Sequence, residues 1–401
     1  MSWDKVKLAD CCLSISDGDH QPPPKAVSGV PFVTIANINK SNQFDFSDTM
    51  FVPKDYYDLL DSKRKAQVGD VLYSVVGSFG IPVLIKEERP FVFQRHIAIL
   101  RPNERINSAF LYYTMLSRDF YAKADAAAIG AAQRTVSLTS LRGLEIELPP
   151  LKVQEAIASK LSVYDNLIEN NQKQIKLLEE AAQRLYKEWF VDFRFPRYED
   201  TPIVDGVPEG WSLRPISDFG EVVTGKTPST EKKEYYGGNI PFVKIPDMHG
   251  CVYPVITESS LTEAGAKTQI NKFIPRNGIM VSCIATVGLV NIAVERCQTN
   301  QQINSIILSD ERDLYYVFSA VKRLKELLEG VGSNGATMTN VNKMKFASLP
   351  VLYPSEELRD SYYSFCKPIF EKIYNLSLSV VRLKKSRDRL LPKLMSGEIE
   401  V

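Results

Sequence analysis

The sequence is poor in the residues that build metal centres, and it has no long apolar run. Its three histidines, His20, His96 and His249, are scattered, and its six cysteines contain no Cys-x-x-Cys spacing. These absences argue against a zinc site and favour reduced cysteines packed in the interior. No stretch approaches the roughly 18 apolar residues of a membrane span, and the N-terminus has no apolar signal region. We therefore predict a cytoplasmic protein that does not contact a membrane.

The sequence also lacks an excess of charge of either sign. The formal net charge of the 401 residues is +1; residues 1–150 contain 17 basic and 17 acidic side chains, and residues 201–350 contain 15 of each. Neither region is therefore a general binder of polyanions. If the protein contacts nucleic acid, its positive charge must be local, with further charge supplied by partner subunits.

The two halves of the sequence repeat each other, which predicts one domain present twice. The separation between matching positions stays close to 208 residues, and short insertions and deletions explain its drift. The pairs are Trp3 with Trp211, residues 31–35 with 241–245, 71–74 with 279–282, Gly80 with Gly288, Gln94 with Gln302, and Leu100 with Leu308.

Each half combines strand and helix patterns. Brief β-branched runs such as 71–76 and 97–100 are separated by Gly, Pro, Asn and Asp, and a helical pattern follows at 110–124 and 314–328. This alternation predicts a mixed α/β (α+β) domain in each half.

A pattern of longer period follows each domain, after Leu148-Pro149-Pro150 in the first half and Leu349-Pro350 in the second. Apolar residues recur at steps of three and four, with one polar position, Asn171, of the kind that sets register in a coiled coil. The seam positions are Ile157, Leu161, Tyr164, Ile168, Asn171, Ile175, Leu178, Ala182, Leu185 and Trp189 in the first helix, and Leu358, Tyr362, Phe365, Ile369, Leu376, Val380, Leu383, Arg387, Leu390 and Leu394 in the second.

The second seam is weaker because prolines interrupt it. Pro368 removes a helical hydrogen bond and is expected to kink or interrupt the helix, and Pro392 is expected to disturb its last turns. Ser355, followed by Glu356 and Glu357, is typical of a helix N-cap with acids in the first turn.

A helix with one apolar stripe needs a partner, and this chain supplies two similar helices. The predicted fold is two α/β domains in a pseudo-two-fold arrangement, joined by two long antiparallel coiled-coil helices. The predicted boundaries are 1–150 for the first domain, 151–195 for the central helix, 196–350 for the second domain and 351–401 for the C-terminal helix. Ordinary amphipathic helices packed on their own domains are the alternative.

One stretch, residues 220–227, matches the phosphate-loop pattern G-x-x-x-x-G-K-[ST]. Its context argues against nucleotide binding, because Pro228 and a polar stretch stand where the helix of such a loop would begin. At a separation of 208 residues, the other half places Cys12, Asp17, Gly18 and Asp19 at the key positions. Other catalytic motifs, such as the G-x-S-x-G elbow, are missing, so we predict that the chain is not an enzyme.

Several short motifs occur in a fixed order, and some of them are duplicated. They are Trp3 and Trp211, GKTPS at 225–229, YYGGNIPFVKI at 235–245, GDVL at 69–72, SCIATVG at 282–288, QRHI at 94–97, LPPL at 148–151 and LLPKLMSGEI at 390–399. Taken together, they resemble the motifs of the specificity subunit of Type I restriction-modification systems, over essentially the whole chain. Two departures are Asn277-Gly278 in place of Gly69-Asp70, and Pro350-Val351-Leu352 in place of the Pro-Pro-Leu step.

The resemblance implies that each α/β domain is a target recognition domain reading one half of a bipartite, asymmetric site in double-stranded DNA. It implies that the helices set the gap and dock DNA adenine methyltransferase subunits, two in number. The chain itself would hold no cofactor: S-adenosylmethionine would belong to those partners, and ATP and magnesium to a restriction and translocation subunit. Two alternatives stay open: a specificity module of another restriction-methylation architecture, and a scaffold with two ligand-binding domains that does not bind DNA.

Long polar side chains in the loops are the candidates for DNA contact, because Arg and Lys read guanine and Gln and Asn read adenine in the major groove. The set Gln94-Arg95-His96, matched with Gln302-Ile303-Asn304, is of most interest because the matched positions carry side chains of different chemical type. The candidates are Lys63, Arg64, Lys65, Gln94, Arg95, His96, Gln133 and Arg134 in the first half, and Lys226, Lys232, Lys233, Lys244, Gln301, Gln302 and Asn334 in the second.

We expect the substitution Lys226→Ala to leave any interaction of the isolated chain with ATP unchanged, because the surrounding sequence is not that of a phosphate loop. Isothermal titration of the wild-type chain and the variant with Mg-ATP checks this. Tight binding that Lys226→Ala abolishes would contradict it.

Overall fold

The structure is a computed structural model that describes residues 3–20, 22–39, 41–131, 133–332 and 340–401. The chain divides into two compact units. One unit is Met1–Glu169 together with Leu383–Val401, and the other is Asn170–Arg382.

The first half folds into short strands and helices followed by one long helix. Strand β5 is fully buried, and so are the first four residues of its neighbour β8, as expected of strands at the centre of a covered sheet. The elements are β1 (Asp4–Lys7), β2 (Cys12–Asp17), β3 (Val30–Val33), β4 (Met50–Val52), α1 (Lys54–Leu59), β5 (Val71–Ser74), β6 (Pro82–Leu84), β7 (Val92–Phe93), β8 (Ile97–Pro102), α2 (Ser108–Leu116), α3 (Arg118–Ala127), α4 (Leu138–Gly143), β9 (Glu145–Leu148) and α5 (Leu151–Phe190).

The second half repeats this order with a few additional short elements. The elements are β10 (Ile203–Val204), β11 (Val207–Pro208), β12 (Ser212–Pro215), β13 (Gly220–Thr224), β14 (Tyr236–Val243), α6 (Ile245–Met248), β15 (Ser259–Leu261), α7 (Glu263–Lys267), β16 (Ile279–Ser282), β17 (Val290–Ile292), β18 (Gln298–Thr299), β19 (Ile303–Leu308), α8 (Leu314–Arg323), α9 (Lys325–Gly332), α10 (Lys343–Ala347), β20 (Pro350–Tyr353) and α11 (Glu356–Met395).

The sheets have the same topology in both units. A four-stranded antiparallel sheet has the order β2-β8-β5-β6 in one unit and β13-β19-β16-β17 in the other. A three-stranded mixed sheet follows, β4-β3-β7 and β15-β14-β18, and a two-stranded pair closes each domain, β1-β9 and β12-β20. The predicted duplication of a mixed α and β domain is therefore confirmed.

Strand register corrects part of the predicted alignment of the halves. Ser74 pairs with Ile97 in one sheet, and Ser282 pairs with Ile303 in the other. Ile97 therefore corresponds to Ile303, 206 residues later rather than 208. The predicted pairs Gln94 with Gln302 and Leu100 with Leu308 were wrong, because two residues fewer separate Gly288 from β19 than separate Gly80 from β8. The register matches Gln94 with Asn300, His96 with Gln302, and Leu100 with Ile306.

The predicted helix at 110–124 is two helices rather than one. Helix α2 ends at Leu116, and the hydroxyl of Ser117 accepts a hydrogen bond from the backbone N–H of Phe120 at 3.2 Å, which caps α3. In the second unit Leu324 separates α8 from α9. A side-chain cap competes locally with a continuous helix, and the apolar pattern alone does not show it.

The stop before the second long helix was also misplaced. Leu148 pairs with Asp4 in the first unit, and Tyr353 pairs with Ser212 in the second, so Pro149 corresponds to Pro354. Pro350 instead begins strand β20. Helix α11 starts at Glu356, and the hydroxyl of Ser355 accepts from the N–H of Leu358 at 3.4 Å, which confirms the predicted N-cap.

A buried polar side chain in the first turn fastens each long helix to its domain. Gln154 is 1% exposed; its amide donates to the carbonyls of Arg105 at 3.0 Å and Pro149 at 2.8 Å, and its oxygen accepts from the N–H of Asn107 at 2.8 Å. In the second unit the matching residue, Arg359, pairs with the carboxylate of Asp313 and donates to the hydroxyl of Tyr353 at 3.1 Å.

The long helices run antiparallel to each other inside each unit. In the first unit Arg387 pairs with Asp165 at 2.5 Å, and Leu161 shares a core with Leu394. In the second, the amide of Asn171 donates to the hydroxyl of Ser379 at 3.0 Å. The predicted seam positions, Asn171 included, are buried or half-buried, except Phe365, which is 57% exposed and was wrongly assigned to the seam. No helix of the described residues has an apolar stretch long enough to cross a membrane.

The predicted interruption at Pro368 is absent, because α11 is helical from Glu356 to Met395. Pro368 cannot donate to the carbonyl of Ser364, but both residues are exposed, so water can satisfy that carbonyl. Pro392 is also exposed and also lies within the helix. A proline on the solvent face costs stability without ending the helix, since packing of the opposite face compensates for the lost bond.

The cysteines are interior thiols, and none of the six is joined in a disulfide. Cys11, Cys283, Cys297 and Cys366 are buried. Burial raises the pKa of Cys283 to about 11 and that of Cys297 to about 12. These two thiols therefore stay protonated at neutral pH.

We expect Pro368→Ala to raise the free energy of unfolding by up to about 3 kcal/mol, because it restores a donor at an exposed helix position. Urea denaturation followed by circular dichroism measures the change. The control Lys372→Ala, at another exposed position of α11, should change stability by less than about 0.5 kcal/mol. A loss of stability in Pro368→Ala would contradict the explanation given above.

Candidate nucleic-acid interface

Loops in the first unit meet at one edge of the four-stranded sheet. The N–H of Val75, after β5, donates to the carbonyl of His96 at 2.8 Å, and the N–H of Val136 donates to the carbonyl of Val75 at 2.9 Å. The N–H of Gly77 donates to the carbonyl of Arg134 at 2.9 Å. We call residues 18–19, 75–80, 94–96 and 133–136 the first loop edge.

The second unit builds the same arrangement from corresponding residues. The N–H of Cys283 donates to the carbonyl of Gln302 at 2.8 Å, and the N–H of Val341 donates to the carbonyl of Cys283 at 2.9 Å. The N–H of Lys226 donates to the carbonyl of Thr299 at 2.9 Å. We call residues 225–227, 283–288, 300–302 and 340–341 the second loop edge.

A serine and a glycine shape the turn at each loop edge. The buried hydroxyl of Ser74 accepts from the N–H of Ile81 at 2.9 Å, and that of Ser282 accepts from the N–H of Leu289 at 2.8 Å. Gly80 and Gly288 both have positive φ, 94° and 88°, which other residues adopt with strain. The sequence match of Ser74 with Ser282 and Gly80 with Gly288 is therefore a match of backbone geometry.

A close backbone approach explains a second pair of glycines. The N–H of Gly18 donates to the carbonyl of Ile97 at 3.2 Å, and that of Gly225 donates to the carbonyl of Ile303 at 3.1 Å. A Cβ atom on Gly18 would lie 2.2 Å from the carbonyl oxygen of Phe93, and a Cβ on Gly225 would lie equally close to that of Asn300.

This pair corrects the alignment of the apparent phosphate loop by one position. Gly18, rather than Asp17, corresponds to Gly225, and Asp19 corresponds to Lys226. Gly220–Thr224 is strand β13, paired in register with β19, and the next α-helix begins only at Ile245. Lys226 therefore follows a strand and has no α-helix N-terminus directly behind it, which differs from the strand-loop-helix arrangement of a phosphate-binding loop.

The first loop edge carries a buried carboxylate surrounded by cations and polar groups. Asp19 is 6% exposed, accepts a hydrogen bond from the hydroxyl of Tyr56, and lies 3.9 Å from the guanidinium of Arg64. The N–H of Arg95 donates to the carbonyl of Asp19 at 3.0 Å, while its side chain is exposed. Burial, with a smaller effect of Arg95, lowers the pKa of His96, so at pH 7 its ring is neutral and can both donate and accept.

The other candidates of the first unit lie nearby or make contacts of their own. The carbonyl of the exposed Lys63 accepts from the hydroxyl of Ser16 at 2.7 Å, and the ammonium of Lys65 donates to the carbonyl of Asp58 at 2.9 Å. Gln133 is exposed, and Arg134 pairs with the carboxylate of Asp125 at 3.3 Å. Of the candidates on this edge, Arg95, Gln133 and Arg134 are exposed, and Gln94 and His96 are half-buried.

The second loop edge is rich in amides. The side-chain oxygen of Gln301 accepts from the hydroxyl of Thr227 at 2.7 Å, and that of Gln302 accepts from the amide of Asn300 at 2.9 Å. Lys226 is exposed on the same edge. The N–H of Asn300 donates to the carbonyl of Val243 at 3.3 Å, which brings the following residue, Lys244, to this edge as well.

The other candidates of the second unit are Lys232, Lys233, Lys244 and Asn334, of which Lys244 borders the second loop edge. Lys232 and Lys233 are exposed in the turn before β14, where the ammonium of Lys232 donates to the hydroxyl of Tyr235 at 3.2 Å. Lys244 lies 3.8 Å from the carboxylate of Glu258. Asn334 lies outside the described residues.

The two loop edges share a backbone frame and differ in the side chains that it presents. Asp19, Thr34 and Asn300 were not among the candidates; aligning Ile97 with Ile303 would have identified Asn300. The first edge has a carboxylate where the second has an ammonium group. The corresponding pairs are Asp19 with Lys226, Thr34 with Lys244, Gln94 with Asn300, Arg95 with Gln301, and His96 with Gln302. Among the described residues, no group of three or more His, Cys, Asp or Glu side chains could hold a metal ion.

The two domains have the same fold, and their loop edges carry different polar side chains. Such an arrangement is typical of a recognition protein whose two domains contact different features of a ligand. The sequence model of the family described as the Type I restriction modification DNA specificity domain matches residues 2–180 and 208–364. Because these segments make up more than half of the chain, the protein belongs to this family.

Individual relatives agree with this assignment. The chain is 29% identical to the specificity subunit of the Type I restriction enzyme HindI from Haemophilus influenzae, over 99% of both chains. It is 26% identical to the MjaIX specificity subunit from Methanocaldococcus jannaschii, over 83% of this chain and 78% of the relative. The crystal structure of the Type I restriction-modification S subunit from M. genitalium has the same fold, with a TM-score of 0.58 at 14% identity over 98% of this chain and 96% of the other.

Proposed function

We propose that this protein is the specificity subunit of a Type I restriction-modification system, and that its two domains read two different half-sites of a bipartite DNA sequence. The observation that carries the proposal is the pair of loop edges, which have the same backbone hydrogen bonds and different side chains. One frame presenting two sets of donors and acceptors suits an asymmetric site, whereas two equal sets would suit a palindrome.

The chemistry of each edge points to different bases. Arg95 on the first edge has the forked donors that suit guanine O6 and N7. Gln301 and Gln302 on the second edge carry side-chain amides, which suit adenine N6 and N7. The buried side chain of Asn300 is bonded to Gln302 and holds it in place. Lys226 and Lys244 beside these amides supply positive charge for phosphates, which positions the duplex without reading it.

The long helices are the feature that sets the distance between half-sites. One heptad adds about 10 Å of helix at 1.5 Å per residue, which is close to three base pairs of DNA at about 3.4 Å each. A spacer of fixed length would thus specify a fixed number of unread base pairs.

In this proposal the chain reads DNA and performs no chemistry of its own. Two DNA adenine methyltransferase subunits dock on it and carry S-adenosylmethionine, and restriction and translocation subunits carry the ATP and magnesium chemistry. Membership of the specificity family supports this division of labour. The chain would act in the cytoplasm, where DNA and these partners meet.

Lengthening both long helices by one paired heptad is the sharpest test. Asn171 contacts Ser379, so residues 171–177 and 373–379 lie opposite each other and can be duplicated together. We expect the gap between half-sites to grow by about three base pairs while both half-sites stay the same. Mapping methylated adenines across the genome of a host that carries the altered system measures both.

The control for this test is duplication of residues 171–177 alone, which puts the two seams out of register and should reduce stable assembly. Changed half-sites in the paired variant would contradict the proposal. Methylation that shows no sequence preference would instead favour a scaffold that does not read DNA.

We expect Arg95→Ala to weaken binding to the recognised sequence by about 1 to 3 kcal/mol and to relax one position of the first half-site only. Fluorescence anisotropy of the complex with its methyltransferase, on DNA with single base changes, measures this. Arg118→Ala removes an equal charge at an exposed position on α3 and should have little effect. An equal loss on every DNA sequence would mean that Arg95 contacts phosphate rather than a base.

A further inference from the structure

A pocket lies between the two long helices and α8 in the second unit. It has a volume of about 230 Å³, and the residues that line it belong to this unit. We call it the Phe370 pocket. None of the described residues that line it belongs to the second loop edge. Its walls are the buried side chains of Ala182, Tyr186, Val252, Phe318 and Phe370.

Helices α5 and α11 correspond to each other at a separation of 205 residues. Gln154 and Arg359 fasten their first turns, and the helices end at Phe190 and Met395. The C-terminal halves also bury the same positions. The buried or half-buried positions that match are Ala182, Tyr186 and Trp189 in α5, and Arg387, Leu391 and Leu394 in α11.

The first unit fills the place that corresponds to the Phe370 pocket with its own polar side chains. Arg387 stands at the position of Ala182, and it pairs with Asp165 at 2.5 Å. Asp165 stands at the position of Phe370, and its carboxylate also accepts from the hydroxyl of Tyr113 at 2.8 Å. In the second unit an alanine replaces the arginine, and the space that a long side chain occupies in the first unit remains open.

The size and the walls of the pocket suit an aromatic ring. A cavity of about 150 Å³ in a protein interior holds benzene, so this pocket can hold a ring with a short chain. The rings of Phe318 and Phe370 lie edge to face at 5.4 Å between centroids, and the ring of Tyr186 lines the same space. Aromatic rings pack favourably in such arrangements, so these walls favour a further ring.

The rim of the pocket carries more positive than negative charge. The carboxylate of Glu179 lies 3.6 Å from the ammonium of Lys322, and Arg323 is exposed on the same rim. One carboxylate therefore faces two cations, so the remaining charge suits an anionic group. A buried cation would find no partner at the floor, because Phe370 stands where the first unit has Asp165.

We propose that the Phe370 pocket binds an aromatic group that carries a carboxylate, with the ring against Phe318 and Phe370 and the carboxylate at Arg323. Two sources supply this chemistry: a free aromatic acid, or an aromatic residue beside an acidic one in a partner protein. The pocket is separate from the second loop edge, so it goes beyond DNA reading.

The probe is 3-phenylpropionate, titrated into the full-length chain and followed by isothermal calorimetry. We expect saturable binding that Ala182→Leu weakens at least about tenfold, because leucine occupies the space of the ring. The melting temperature of this variant should stay at or above that of the wild type, since the added atoms fill open space. Ala181→Leu, the same change at the exposed neighbouring position, is the matched control. Equal binding to the wild type and Ala182→Leu would overturn the proposal.

A second variant tests the charge at the rim without filling the pocket. Arg323→Gln should weaken binding of 3-phenylpropionate about fivefold and leave binding of the neutral 3-phenylpropionamide unchanged. Arg184→Gln removes an equal charge from an exposed position of α5 and should have no effect. If the cationic 3-phenylpropylamine bound as tightly as the acid, the assigned chemistry would be wrong.

Assembly with the methyltransferase distinguishes the two sources. If a partner residue occupies the pocket, Ala182→Leu and saturating 3-phenylpropionate should each weaken assembly at least about tenfold. If a free acid occupies it, both should leave assembly unchanged while the wild-type chain still binds the probe. These outcomes do not depend on which DNA sequence is methylated, so they are independent of the test of DNA reading. Absence of probe binding together with unchanged assembly of Ala182→Leu would overturn the proposal.

Discussion

The attachment of each long helix to its domain is the constraint on which the rest of the architecture depends. Gln154 and Arg359 occupy corresponding positions in the first turns of α5 and α11, and both are almost fully buried. A buried polar group is costly unless it is hydrogen-bonded, so the helix can leave its domain only in the direction that satisfies these side chains. The carbonyls of Arg105 and Pro149, and the carboxylate of Asp313, define that direction.

Within each unit this attachment connects the helices to the loops that carry recognition. The sheet that holds the loop edge packs on helices α2 or α8, and these pack in turn on the long helices, as Tyr113 shows by donating to Asp165 at 2.8 Å. A helix that is fixed to its own sheet can transmit a distance, whereas a helix on a flexible linker cannot. This is the physical basis for assigning the gap to the helices and the bases to the loops.

Duplication followed by divergence explains the remaining features. Backbone geometry is kept where a glycine or a buried serine is needed, at Gly80 and Gly288 and at Ser74 and Ser282. Exposed side chains carried by this frame differ freely, as those of Arg95 and Gln301 do.

Several features could be predicted from the sequence because they depend on local pattern. The duplication, the two long helices and the cap at Ser355 are set by periodicity, by prolines and by hydrogen bonds between near neighbours. Most loop candidates with a described position also proved exposed or half-buried, as polar loop residues are. Which of them meet at an edge was beyond the sequence, because His96 and Arg134 come together through hydrogen bonds from the segment after β5 to their carbonyl groups.

The sequence by itself determined that one domain occurs twice and that a long amphipathic helix follows each copy. Short motifs reveal the repeat, and the spacing of apolar residues along the chain reveals the helices, so neither depends on tertiary contacts. Only the tertiary structure decided that Gln94 corresponds to Asn300, that Pro354 rather than Pro350 precedes the second helix, and that Pro368 is tolerated within it. The first two depend on pairing between strands distant in the chain. The third depends on which face of the helix meets water, and the position of a proline in the sequence does not specify that face.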